Sequence, residues 1–218
     1  MRREVPVERA PLSVSAIVST AIELADAGGL DAVSMRQIGQ RLGATGMALY
    51  RHVANRDELL TLMVDTVIGE FAYPEPRPEH WRAALTELAR QDWRSYFAHP
   101  WLLAVTATSR PPMGPNMLTA MEWALTSFDG LDLAAHEQLY LLTTVISYTQ
   151  GLALTWNRQE PEDTTDWWRA QVTEAGGHPR LLAVTEGYRH PSLDLDEEFE
   201  FGLERVLDGI AVYLEKRQ

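Results

Sequence analysis

The chain has 218 residues, 45% of them hydrophobic, and no cysteine, so it is a globular protein of one or two domains without disulfides, thiolate metal sites or cysteine nucleophiles. Its net charge of -12 opposes DNA binding by the chain as a whole, but residues 1–56 carry seven Arg against five acids while residues 57–218 carry 12 basic and 26 acidic side chains, so only the first segment can approach phosphates. No apolar run follows a basic start and none nears the ~18 residues of a membrane span, so a cytoplasmic protein with no membrane partner is expected.

The expected fold class is all-α, because helical periodicity recurs along the chain and no alternating strand pattern is bounded by hairpin turns. Residues 1–12, polar with two prolines, read as a flexible N-terminal arm. Val14, Ile17, Val18, Ala21, Leu24 and Ala25 form one stripe of a first helix, capped by Ser13 and stopped by Gly28-Gly29. Ser34 and Gln37 form a capping box for a second helix over 34–42, with Met35, Ile38 and Leu42 inward. Gly43 and Ala44 turn the chain into a short third helix over 45–53, held by Leu49 and Val53. Asn55 and Glu58 cap a fourth helix running to about Phe71, and Pro74, Pro76 and Pro78 mark a boundary after it. Further helices are expected at about 79–98, 101–108, 115–128, 133–158, 165–174 and 195–216, with a loop-rich stretch at 176–193 and connections at Pro111–Pro115 and Pro161–Thr164.

The second and third helices with their tight turn make a helix-turn-helix, whose second member is too short to stand alone and suits presentation to a groove. Arg51 carries a guanidinium that can read guanine, and Met47 and Ala48 can touch thymine methyl groups. Tyr50, Arg56, Ser34 and the N–H groups opening the fourth helix can meet phosphates. Helical hairpins also serve plain packing, so spacing alone leaves DNA binding open.

The run from Ser34 to Leu60, above all Leu49-Tyr50-Arg51-His52-Val53 followed by Asn55-Arg56-Asp57-Glu58-Leu59-Leu60, resembles the DNA-binding head of the tetracycline-repressor family. Gly29-Leu30-Asp31-Ala32-Val33-Ser34 fits as well, and the resemblance covers about residues 12–64. It implies a three-helix head over 13–56 and a helical ligand-binding and dimerisation domain over 57–218, with double-stranded operator DNA, a small-molecule effector and a second copy of the chain as partners. By the same resemblance Arg36, Thr45, Gly46, Met47, Ala48 and Arg51 face bases, and Ser34, Tyr50, His52 and Arg56 face the backbone. Gly46 departs from the larger polar or basic residue that some members place there. The expected mechanism is a dimer with recognition helices about 34–36 Å apart, released from a palindrome when the effector shifts the fourth helix.

The helix over 133–158 is apolar nearly all round, with Leu139, Leu141, Leu142, Val145, Ile146, Leu152 and Leu154, and reads as buried on several sides. Thr144, Ser147, Gly151 and Thr155 give it a small-residue stripe. The helix over 195–216 sets Phe199, Leu203, Val206, Leu207, Ile210, Tyr213 and Leu214 against Glu200, Glu204, Asp208 and Glu215, with Gly202 and Gly209 seven apart. These two helices are the expected homodimer interface, an ordinary intrachain core being the alternative. Aromatic and Met side chains can line an adaptable apolar pocket. The candidate effector residues are Met63 and Val67; Asp92, Trp93, Tyr96 and Phe97; Met117 and Met121; and Tyr148 and Gln150. Asp92, Tyr148 and Gln150 interrupt apolar faces, where either a ligand or a neighbouring side chain must satisfy them.

No catalytic residue, cofactor or metal is expected. His136-Glu137 opens like a zinc-protease motif, but Tyr140 stands where the second His belongs. Gly43-Ala-Thr-Gly46 matches the loop of an RNA-binding KH domain without its strands. The competing functions are a DNA-binding head that answers to a protein partner, and an all-α enzyme using Asp92, His99 or His136.

Overall fold

The computed structural model describes residues 12–71, 73–156, 164–187 and 195–217, and among them every regular element is helical. The expected arm, the connection from Pro161 and residues 188–193 of the loop-rich stretch lie outside the described residues, the arm but for Leu12. The helices are α1 (Val14–Gly28), α2 (Met35–Leu42), α3 (Gly46–Leu49), α4 (Arg56–Glu70), α5 (Trp81–Ala98), α6 (Pro100–Thr106), α7 (Pro115–Leu125), α8 (Ala135–Trp156), α9 (Thr164–Ala175), α10 (Pro179–Gly187) and α11 (Leu195–Glu215). No helix among the described residues is long and apolar enough to cross a membrane.

Two differences from the sequence expectation have local causes. The third helix ends at Leu49 rather than 53, because the Arg51 and His52 N–H groups close on the Ala48 and Leu49 carbonyls, three residues back rather than four, at 3.4 and 2.9 Å, and the chain turns through residues 50–52. Leu49 and Val53 are still fully buried, so the turn is held from inside. The stretch 176–193 contains α10: Gly176 and Gly177, both at positive φ, break the chain, but Pro179 then opens a helix instead of prolonging a loop.

The chain divides into two compact units, one of Met1–Ala72 with Ala98–Glu122 and one of Tyr73–Phe97 with Trp123–Gln218. In the first, α1 buries Ile17, Val18, Ala21, Leu24 and Ala25 and packs against α2, α4 and α6. Ser13, Ser34, Thr45 and Asn55 each cap a helix by accepting a backbone N–H three residues on. α4 contributes Leu59, Met63, Val64 and Val67 to this core. It also reaches α7: the Asp65 carboxylate accepts the Asn116 and Met117 N–H groups at 2.7 and 3.2 Å, and Asn116 Nδ2 donates back to the Asp65 carbonyl at 2.9 Å. Asp26, at the end of α1, accepts from Trp101 Nε1 at 2.7 Å and lies 2.8 Å from His99 Nδ1, which fixes the start of α6.

In the second unit α11 lies along α8. Phe199, Leu203, Leu207 and Ile210 of α11 and Leu142, Val145, Thr149 and Ala153 of α8 are buried, as are Ala84, Leu85, Leu88 and Ala89 of α5. The acidic side of α11 in part grips α5. Glu200 takes a two-pronged bond from Arg90 at 2.6 and 2.8 Å, and Asp208 accepts from Arg82 at 2.6 Å. Their fixed geometry directs α5 more than it stabilises it, since half-exposed pairs contribute about 1 kcal/mol or less.

At the α2–α3 turn, Gly43 adopts φ 65° and the Ala44 N–H returns to the Gly39 carbonyl at 2.8 Å. A methyl group on Gly39 would stand 2.6 Å from the Ala44 carbonyl oxygen, a backbone atom with little freedom to move. Gly39→Ala is therefore expected to destabilise the head by about 1–3 kcal/mol. Thermal unfolding followed by circular dichroism checks this, and an unchanged midpoint would show that the turn has slack.

Candidate DNA interface and effector site

On the head, Met47, Tyr50, Arg51, His52, Arg36 and Thr45 are exposed, with Met47 at 77% of its free surface, while Gly46 and Ala48 are partly covered. A side chain this open has little packing role within the chain. The guanidinium groups of Arg36 and Arg51 meet no acceptor among the described residues, whereas Arg41 lies 3.5 Å from Glu23. Ser34, Arg56 and the N–H groups opening α4 are already engaged within the chain. Ser34 donates to Gln37 Oε1 at 2.7 Å while its oxygen accepts the Gln37 N–H. Arg56 donates to the carbonyls of Val33 and Leu30 at 3.2 and 3.3 Å, tying α4 to the segment before α2. At the start of α4, Asn55 takes the Glu58 N–H and Glu58 takes the Ala54 N–H. With Asp57 and Glu58 in that turn, the end of α4 is a poorer phosphate site than its position alone suggests.

The ten effector candidates separate into groups. Met63 and Val67 are fully buried in the core of the first unit, and Met117 and Met121 are half-buried on α7. Trp93 faces α11: it stacks on Phe199 at 4.5 Å and donates from Nε1 to Asp196 at 2.8 Å. Phe97 packs on Trp93, and the Tyr148 hydroxyl donates to the Phe199 carbonyl at 2.9 Å. Trp93 and Tyr148 thus have partners within the chain, both on α11.

Asp92, Tyr96 and Gln150 form a different group. Gln150 Nε2 donates to the Tyr96 hydroxyl at 3.1 Å. Asp92 precedes Tyr96 by one helical turn and lies deep in the unit, with part of its surface accessible. Burial pushes its carboxyl up to about 7, and no cation or hydrogen-bond donor meets it among the described residues. Two residues that sequence reasoning missed complete the group. Tyr73 stacks on Trp123 at 4.5 Å with an interplanar angle of 23°. Its phenol is raised well above the ordinary value, first by burial and then by the charges of Asp92 and Tyr96. Trp123 Nε1 is buried without a partner among the described residues. Tyr73 sits in an irregular proline-rich segment with no periodicity to point inward, and Trp123 was one of seven tryptophans with nothing to single it out.

α8 and α11 also carry an uncovered face. Tyr140 (66% exposed), Leu139 and Leu154 on α8 and Phe201 (65%), Val212 and Tyr213 on α11 lie open, next to the exposed stripe of Thr144, Ser147, Gly151 and Thr155. α8 is therefore not buried on several sides within one chain. Gly202 does not belong to this face: a methyl group there would collide with Tyr148, so it serves the contact between α11 and α8. Among the described residues no three His, Asp or Glu side chains are placed to hold a metal.

Residues 17–63 match the family model for bacterial regulatory proteins of the tetR family, and residues 73–214 match that for the tetracyclin repressor-like C-terminal domain. The HTH-type transcriptional repressor DrrR1 of Streptomyces coeruleorubidus is 36% identical over 95% of this chain and 80% of its own length. The class A tetracycline repressor of Escherichia coli is 26% identical over 92% of this chain and 91% of its own. Among solved structures, apo ActR of Streptomyces coelicolor superposes with a TM-score of 0.81 at 33% identity, covering 96% of this chain and 99% of that one. Its complex with actinorhodin gives 0.80 at 33% identity, covering 96% of this chain and all of that one.

The unpaired Asp92 carboxyl has a measurable consequence. The folded chain keeps its proton to about 7, whereas an ordinary aspartate releases it at 3.8, so stability falls as pH rises through that window and the deficit is complete above it. Asp92→Asn should melt above wild type at about pH 8, with the gap shrinking towards about pH 5. Thermal melts at both values check this, and a gap equal at both would remove burial of the charge as its cause.

Proposed function

Since the chain belongs to the tetracycline-repressor family, we propose that it is a repressor that binds a palindromic operator as a homodimer and is released by a small, apolar, aromatic effector. The observation that carries this reading is the presence on one chain of two separate unfinished surfaces. One is a head with two unengaged guanidinium groups and an open Met47; the other is a buried aromatic cluster with unpartnered polar groups. The complex of ActR with actinorhodin supports a small-molecule effector for a protein of this build.

In the DNA complex Arg36 and Arg51 read base edges, Met47 lies against thymine methyl groups, and Tyr50 and His52 meet phosphates. With Gly46 in the recognition helix there are few polar readers, so the shape of the DNA carries part of the specificity. The effector signal runs along α7. This helix bears Trp123 near its C-terminal end, and its N-terminal amides are held by Asp65 of α4. An effector that displaces Trp123 moves α7, and the cap carries the movement to α4, which closes the head. A coupling of about 1–3 kcal/mol changes operator affinity ~5–150-fold.

The open face of α8 and α11 is the dimer interface. Gly151 and Gly209 lie in helix interiors, where glycine costs about 1 kcal/mol against alanine. A methyl group at either would meet nothing within 4 Å, so the chain itself has no use for their small size. A partner helix approaching closely does.

Arg51→Ala should weaken binding to the palindrome upstream of the protein's own gene by about 1–3 kcal/mol and relax preference at one base pair. Gel shifts with mutated operators decide; an equal loss on every sequence makes Arg51 a phosphate contact instead. Gly151→Leu should keep its helix content and yet sediment as a monomer, and a dimer of wild-type stability would move the interface away from α8.

A further inference from the structure

We propose that the effector is a planar aromatic cation, its protonated amine held by Asp92 among the rings of Tyr73, Tyr96 and Trp123; this rests on the effector reading above and assigns the charge of the ligand. The argument begins with what Asp92 lacks. A carboxylate deep in a protein is expensive unless a cation or several donors meet it. Arg82 and Arg90 on the same helix are engaged with Asp208 and Glu200 on α11, and no basic side chain among the described residues faces Asp92. The titratable groups that do face it are phenols, Tyr73 from the segment before α5 and Tyr96 one turn along α5.

The surroundings match a cation rather than a neutral or anionic ligand. The rings of Tyr73 and Trp123 are stacked and the phenol of Tyr96 is anchored by Gln150, so electron-rich faces surround an uncompensated carboxylate. Aromatic faces attract ammonium groups, most strongly when desolvated. The excess of acidic over basic residues across 57–218 also concentrates cations near this part of the chain and repels anions. The buried Trp123 Nε1, without a partner among the described residues, supplies one donor for an acceptor atom on the same ligand. The open groove at Pro78, His80, Arg82, Ala83 and Arg90 lacks this character, because its arginines are already paired.

The test uses the full-length, DNA-free protein and three tricyclic probes of similar size: 9-aminoacridine as the cation, acridone as the neutral compound and anthracene-9-carboxylate as the anion. Binding is read by tryptophan fluorescence and calorimetry. At about pH 8 the cation should bind at least about tenfold more tightly than acridone, and the anion more weakly than either. The margin should narrow by about pH 6 as Asp92 keeps its proton, and Asp92→Asn should bring the cation down to the level of acridone. Equal binding of cation and neutral probe by the wild type at about pH 8, or stronger binding of the anion, overturns the assignment of charge and leaves the effector site standing. Silence of all three probes overturns the effector reading and the cation with it. The wild-type comparison decides even if the variant fails to fold.

Discussion

The capping of α7 by a residue of α4 is the constraint around which the first unit is organised. Most helix caps are supplied from within the same stretch of chain, as Ser13, Ser34, Thr45 and Asn55 do here. α7 instead borrows the Asp65 carboxylate, fifty residues upstream, and Asn116 returns a bond to the Asp65 backbone. α4 also closes the core of the head through Leu59, Met63 and Val64 and is tied by Arg56 to the segment before α2. A helix bound so firmly at both ends transmits displacement rather than absorbing it, because packed interiors have little slack. Asp26 does related work at the other side of α1, joining the end of that helix to Trp101 and His99 at the start of α6.

α5 shows how one helix serves two purposes. Its Arg82, Arg90 and Trp93 are bound to Asp208, Glu200 and Asp196 of α11, which fixes its rotation. With that rotation set, Asp92 and Tyr96 point to the side where Tyr73, Trp123 and Gln150 gather. The polar groups on the first side are satisfied within the chain, and Asp92 on the second meets no partner among the described residues. A fold rarely tolerates a buried unpaired group without a use for it, so the contrast along one helix supports the effector site proposed on that side.

The architecture was legible from the chain because its signals are local. Capping residues, glycine stops and apolar periodicity placed the helices, and the run from Ser34 to Leu60 carried the family resemblance. The third helix came out shorter than its inward residues suggested, since Leu49 and Val53 are buried whether the backbone between them is helix or turn. α10 was hidden because Gly176, Gly177 and Pro179 read equally well as a loop and as a helix start.

The proposed effector residues were legible only in part. Asp92 and Gln150 stood out as polar groups on apolar faces, but Tyr148 did so too, and its partner is a carbonyl fifty-one residues away. A polar residue in an apolar stripe announces that something must satisfy it, and the chain order does not say what. Likewise Gly202 and Gly209, seven residues apart on one helix, looked equivalent until one met Tyr148 and the other open space. The sequence by itself determined the helices, the acidic and basic halves and the identity of the head, all of which depend on neighbours a few residues apart. Tertiary structure alone decided which of Trp93, Tyr148, Asp92 and Trp123 were already partnered, because each bond in question joins groups that meet only when distant helices pack.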